Sequence, residues 1–117
     1  MNKSFDTPIF TKTYELYKEI YSLRNTLPKS DRYAIWQKVE ATTLEILEAI
    51  LIAISISKNE KVKILEKASK KLNILRVFIR LSKDVKAIDN KKYIILQEKL
   101  DEIGRMLGGW IKSTKTS

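Results

Sequence analysis

The chain contains no cysteine and no histidine in 117 residues. That double absence removes thiol nucleophiles, Cys/His zinc sites, Ser-His-Asp triads and histidine acid–base chemistry together, leaving carboxylates or lysine as the only catalytic options. Carboxylate catalysis needs a pair converging on a pocket, whereas the adjacent Asp101 and Glu102 diverge by about 100° on a helix, a placement that suits salt bridges. No catalytic residue, metal ligand or cofactor is expected. Glycine and proline are scarce too, three and two, and they fall near the ends of apolar-periodic segments, which predicts long helices and no sheet. A membrane span is also missing: Glu45 and Glu48 interrupt the most apolar stretch, and its uncharged part, residues 49–57, has nine residues against the roughly 20 a bilayer requires. The start, Met1 to Asp6, has neither an apolar core nor a cleavage pattern, so no signal peptide is read and the cytoplasm is the default location.

What the chain does have is positive charge, unevenly placed. Residues 1–57 carry seven basic and seven acidic side chains, while residues 58–117 carry sixteen and seven, so the whole net charge of +9 lies in the second half. A one-sided surplus of this kind points to a polyanion: nucleic acid first, then an acidic protein face or anionic lipid.

Apolar periodicity divides the chain into four helices, expected at about 8–26, 31–57, 60–86 and 90–112, with 1–8 a mobile lead-in and 113–117 a flexible tail. Thr7 and Pro8 suit the N-cap and first position of helix one. That helix carries a core line, Ile9, Leu16, Ile20, Leu23 and Leu27, and beside it an aromatic line, Phe10, Tyr14, Tyr17 and Tyr21, read as a helix or subunit rim in preference to a base-stacking platform. Pro28 stops the helix, and Ser30 or Asp31 is placed to cap the next. Helix two is the most apolar; two parallel lines, one through Val39, Ile46 and Ala53 and one through Trp36, Thr43, Ile50 and Ile54, are widened by Leu44 and Leu51, so the helix must be buried on several sides. After a turn with Ser57 and Asn59 as cap candidates, helix three has its core on Leu65, Ala68, Leu72, Leu75 and Ile79. A second apolar line, Ile74, Phe78, Leu81 and Val85, lies nearly opposite. With Asp89 as its cap, helix four repeats Tyr93, Leu96, Leu100, Ile103, Leu107 and Trp110 at spacings of 3 and 4, an a/d seam. Gly104 and Gly108 inside it each cost roughly 1 kcal/mol against alanine, which predicts close approach of a neighbour at both.

Four helices joined by short turns make an all-α, up-down-up-down antiparallel bundle in one domain, 1–117. Helices two and three carry more apolar face than such a core uses, so a homo-oligomer is expected, with Leu44, Leu51, Ile54, Phe78, Leu81, Gly104, Gly108 and Trp110 at packing surfaces. The polyanion surface is expected on helix three. Lys63, Lys67 and Lys70 share one face, Arg76, Arg80 and Lys83 another, with Lys71, Lys86 and Arg105 as additions. Arg76 and Arg80, lying between apolar lines, need a partner, and Asp101 or Glu102 competes with phosphate for that role.

Three segments, Pro28-Lys29-Ser30-Asp31-Arg32-Tyr33, Leu75 to Leu81, and above all Leu100 to Lys112 with its Gly104-Arg105-Met106-Leu107-Gly108-Gly109-Trp110, resemble the accessory variability determinant (Avd) proteins of diversity-generating retroelements. The Pro-Lys-x-x-Arg-Tyr turn is shared with the wider four-helix group that includes proteins encoded in intervening sequences of ribosomal RNA genes. The resemblance implies a basic, barrel-shaped homopentamer of four-helix bundles, without chemistry of its own. It would bind RNA or DNA and the element's reverse transcriptase and assist copying of a template repeat into a variable repeat. Two alternatives share the residues: a structural bundle that binds an acidic protein, and an intervening-sequence protein of unknown role.

Overall fold

A computed structural model describes residues 7–116, so the lead-in expected before Thr7, and Ser117, lie outside the described residues. Helix α1 spans Pro8–Ser22, a 3-10 turn Arg24–Thr26, α2 Lys29–Arg32, α3 Ile35–Ser55, α4 Lys58–Asp84 and α5 Asn90–Thr116, with no strand among the described residues.

Thr7 caps α1 as its sequence position predicts: its extended backbone (φ −74°, ψ 152°) precedes Pro8, and its Oγ1 accepts from the Phe10 N–H at 3.3 Å. The helix closes four residues earlier than expected. Ser22 and Thr26 hydroxyls donate to the Glu19 and Leu23 carbonyls at 2.7 and 2.6 Å, and the chain tightens into the 3-10 turn before Leu27 turns extended (φ −85°, ψ 153°), as the residue before a proline must.

The second helix is also broken. Neither Ser30 nor Asp31 caps it; both lie inside the four-residue α2, which starts directly after Pro28 and has no side-chain cap. Arg32 folds back to donate to the Leu27 and Asn25 carbonyls at 3.1 and 3.3 Å, Tyr33 and Ala34 leave the helical path, and α3 starts afresh at Ile35. Ser57 precedes α4 with no side-chain cap bond, while Asp89 does cap α5, its Oδ1 accepting from the Lys92 N–H at 2.8 Å.

The four long helices pack in a ring, α1 on α3, α3 on α4, α4 on α5 and α5 back on α1. Residue numbers rise on one helix as they fall on the other for α3–α4, where Lys71 meets Glu45 and Ile64 lies across from Ile52, for α4–α5, where Arg76 meets Asp101 and Glu66 meets Lys115, and for α1–α5, where Lys12 meets Glu102 and Glu19 meets Lys99, so these pairs are antiparallel. Inside the ring lie Leu16, Ile20, Trp36, Ile46, Ile50, Leu65, Leu75, Ile79, Leu96, Leu100, Ile103 and Leu107. Trp36 fills the end nearest the α1–α3 connection and satisfies its buried indole by donating to the Ile20 carbonyl at 2.9 Å. Beside it Arg24 forms a two-pronged pair with the buried Glu40, and that hydrogen-bonded carboxylate raises the Arg24 pKa further above its ordinary value. Both apolar lines of α3 enter the core through Val39, Ile46 and Ala53 and through Trp36, Thr43 and Ile50.

Helix α5 continues past the expected end at 112. Thr114 extends the a/d line one step beyond Trp110, is buried, and donates to the Trp110 carbonyl at 2.8 Å, while Lys115 reaches Glu66 at 3.1 Å. What was expected as a tail is a helical turn held to α4.

Candidate nucleic-acid interface

Helix α4 is 27 residues long, about 40 Å of surface, and its core line Leu65, Ala68, Leu72, Leu75, Ile79 and Ser82 leaves the opposite side to solvent. At 100° per residue Lys63, Lys67 and Lys70 share one outer face, on the side toward α3, whereas Arg76, Arg80 and Lys83 turn toward α5, roughly 140° around the axis. The structure therefore divides the six residues into two surfaces.

On the first surface Lys63, Lys67 and Lys70 are exposed and have no carboxylate within ion-pair distance among the described residues. Lys71, half-buried beside them, is paired with Glu45 at 2.6 Å. A shallow groove of about 270 Å³ runs between Lys67 and Lys71 on α4 and Glu45, Glu48 and Ile52 on α3.

On the second surface the guanidinium of Arg76 is already used. Its Nη1 bonds Asp101 and its Nη2 donates to the Leu100 carbonyl at 3.3 Å, while Gln97 donates to the Arg76 carbonyl at 3.2 Å. Gly104 makes room for it: a Cβ there would lie 2.8 Å from Arg76 Nη2. Of the two bundle carboxylates expected for Arg76, it is Asp101 that holds it in this structure. Arg80 is exposed with no ion pair among the described residues, and Arg105 is exposed on α5. Lys83 lies 4.3 Å over the Tyr93 ring and 3.7 Å from Asp84. Lys86, exposed at the end of α4, lies a full turn beyond Lys83.

A family model matches nearly the whole chain: residues 9–114 match the model described as bAvd-like. The chain belongs to the bAvd-like family. The resemblance drawn from the Pro28 turn and the Leu100–Lys112 segment agrees with it. A crystal structure from Bacteroides thetaiotaomicron, described as a protein with unknown function from the S23 ribosomal protein family, has the same fold at a TM-score of 0.81 and 20% identity, over 89% of this chain and 95% of that one. No curated protein matches the chain.

The remaining surface of this bAvd-like chain includes several exposed apolar side chains. Leu44 and Leu81 are exposed, and Ile74, Val77 and Val85 join Leu81 in a stripe on α4 that continues the line of Lys63, Lys67 and Lys70 toward the other end of the helix. Leu51, Ile54, Phe78 and Trp110 are half-buried against the core. Gly108 has nothing within 4 Å of a built Cβ, so the close approach expected there does not occur within the protomer. Tyr14 and Tyr21 are exposed on α1, Tyr21 beneath the Arg24 guanidinium at 4.6 Å. Beyond the residues expected from sequence, the structure adds Val77, Ile94 and Ile95 to the exposed apolar set, and it brings Lys92, at the start of α5, into one cavity with Lys83 and Lys86, while Lys91 lines a groove with Glu19 and Leu23. The Lys91-Lys92 pair was visible in the sequence but stood outside helix three. Among the described residues no cluster of three or more His, Cys, Asp or Glu could hold a metal, and no helix is long and apolar enough to cross a membrane.

Proposed function

We propose that the protein is a non-catalytic accessory subunit of a diversity-generating retroelement, which acts in the cytoplasm as a homo-oligomer, a pentamer by family. It binds RNA or DNA and the element's reverse transcriptase and supports mutagenic copying of template repeat into variable repeat. Membership of the bAvd-like family carries the reading. The unpaired Lys63, Lys67 and Lys70 support it, because three like charges on successive turns repel one another unless an outside anion neutralises them. Arg80 and Arg105 extend that positive field on the α5 side, and the exposed stripe from Ile74 to Val85 supplies apolar area for a second copy or for the enzyme.

The test is binding of single-stranded RNA across a salt series. Affinity should fall with a log–log slope of about −0.7 per phosphate contacted, with little sequence preference. Lys67→Glu with Lys70→Glu should weaken binding and flatten the slope while leaving the oligomer's mass unchanged, and the wild-type protein should co-purify with the reverse transcriptase encoded beside it. Absence of salt-sensitive binding to RNA, DNA and hybrid at low ionic strength overturns the nucleic-acid part and leaves a scaffold for an acidic protein.

A further inference from the structure

The α4–α5 turn closes on an open cavity of about 500 Å³ whose lining includes Lys83, Lys86 and Lys92, with Thr26 and Asp89. Lys91 lines the adjoining groove of about 430 Å³ with Lys92 and Asp89. Three lysines, Lys83, Lys86 and Lys92, thus share one cavity, and Lys91 lies on the groove next to it. Two nearby carboxylates answer them weakly: Asp84 is 3.7 Å from Lys83, and Asp89 is 3.8 Å from the Lys92 ammonium while its other oxygen caps α5. Glu19, in the adjoining groove, is 3.4 Å from Lys99.

Lys86 is the informative residue. The Ala87 N–H bonds the Ser82 carbonyl at 2.8 Å and the Lys86 N–H bonds the Lys83 carbonyl at 2.9 Å, the two bonds of a Schellman motif that places Lys86 at the left-handed position, φ 65°. Glycine takes that position without strain, and a lysine there is strained. It also adds a like charge to a cavity that already has two, without an ion pair among the described residues. Backbone strain and charge repulsion both work against Lys86, and an anion bound between these lysines would relieve the repulsion.

We propose that this cavity is a phosphate site, which takes a phosphate group carrying two or more negative charges between Lys83, Lys86 and Lys92. Ammonium groups on flexible stems suit such a ligand, since each is a point charge with three donors and a phosphate offers oxygens in several directions. A single carboxylate would leave most of the surplus unanswered. The site is independent of the lysine face Lys63, Lys67 and Lys70 and does not require the nucleic-acid reading.

Inorganic pyrophosphate is the probe, titrated calorimetrically into the full chain at an ionic strength matched with sodium chloride, together with thermal unfolding. Wild type should bind and gain in midpoint. Lys86→Gly should unfold at a higher temperature than wild type without ligand, because the strain is gone, yet bind pyrophosphate about fivefold or more weakly; Lys92→Ala should also weaken it. A merely structural lysine would not move stability and affinity in opposite directions. Oligoribonucleotides with a 5′-phosphate or a 5′-hydroxyl separate the sources: a preference for the phosphate that vanishes in Lys86→Gly assigns a nucleic-acid terminus, and pyrophosphate binding with no such preference assigns a free phosphate compound. Pyrophosphate binding no better than chloride, or unchanged in both variants, overturns the site. If RNA still binds with its salt slope in that case, the proposed function stands alone; if pyrophosphate binds and no nucleic acid does, the phosphate site stands alone.

Discussion

Replacing Gly104 with alanine sets two effects of similar size against each other. Gly104 lies inside α5, where alanine is favoured over glycine by about 1 kcal/mol. The new Cβ would stand 2.8 Å from Arg76 Nη2, so the guanidinium must withdraw; Leu72 Cδ2, at 3.4 Å, can remain. Withdrawal gives up the bond to the Leu100 carbonyl, worth about 0.5 to 1.5 kcal/mol, and disturbs a half-exposed ion pair with Asp101, worth at most about 1 kcal/mol. In the wild-type background the net change should lie between about 0.5 kcal/mol of stabilisation and about 1.5 kcal/mol of destabilisation. In an Arg76→Ala background nothing has to withdraw, and Gly104→Ala should stabilise by nearly the full helix-propensity gain. The expected coupling, about 1 kcal/mol, is read from a double-mutant cycle of urea unfolding at one fixed protein concentration. If Gly104→Ala stabilises both backgrounds equally, Arg76 does not lean on Gly104 and the packing argument fails. The same variants report on function, because a guanidinium held by Asp101 is structural: Arg76→Ala should lower the unfolding midpoint and leave RNA affinity in place.

Gly108→Ala should stabilise by about 0.5 to 1 kcal/mol, since its Cβ meets nothing in the protomer; a loss would mean that another chain packs there. Light scattering at micromolar concentration should give a multiple of 13.6 kDa, and Leu81→Glu should reduce it; a wild-type mass of 13.6 kDa refutes the self-association drawn from the exposed apolar stripe. The Glu102 carboxyl is held below its ordinary value of 4.5, first by the hydrogen bond from Lys12 and then by that ammonium's charge. Its contribution is therefore complete above the unfolded value and fades as pH drops through the lower folded one, so Glu102→Gln should flatten the acid limb of a stability–pH curve. An unchanged limb would show that Lys12 and Glu102 do not pair in solution.

Periodicity made the long helices readable, because the core lines through Leu65 to Ile79 and Leu96 to Leu107 repeat without interruption and a buried line has little freedom to mean anything else. The break at Tyr33-Ala34 was not readable. No glycine or proline marks it, and Arg32, which fastens the preceding loop, acts by folding back on carbonyls that spacing does not reveal. The last turn of α5 could have been read: Thr114 stands four residues after Trp110 in the same line, but a threonine among lysines and serines has the composition of a tail. Among the basic residues, sequence grouped the α4 faces well and could not tell Arg76, spoken for by Asp101, from Arg80, which is free among the described residues. That distinction depends on the partner helix. Nor does one helix's periodicity show that a turn will gather Lys92 with Lys83 and Lys86.

The ring of helices has one join between elements distant in the chain, that of α1 with α5, and it includes two exposed ion pairs, Lys12 with Glu102 at 2.9 Å and Lys99 with Glu19 at 3.4 Å. On its other flank α1 is fastened to α3 by the Trp36 indole and the Arg24–Glu40 pair, both near its C-terminal end. Salt screens charges across a Debye length of about 8 Å at physiological strength, so added salt should weaken the ion pairs of the α1–α5 join more than the partly sheltered Arg24–Glu40 pair. In high salt α1, still anchored by the buried Ile9, Phe10 and Leu16 of its first half, should open locally at a lower free energy than the other helices. Hydrogen exchange follows, with the amides of residues 9–16 losing protection at a lower free energy than those of α3 and α4.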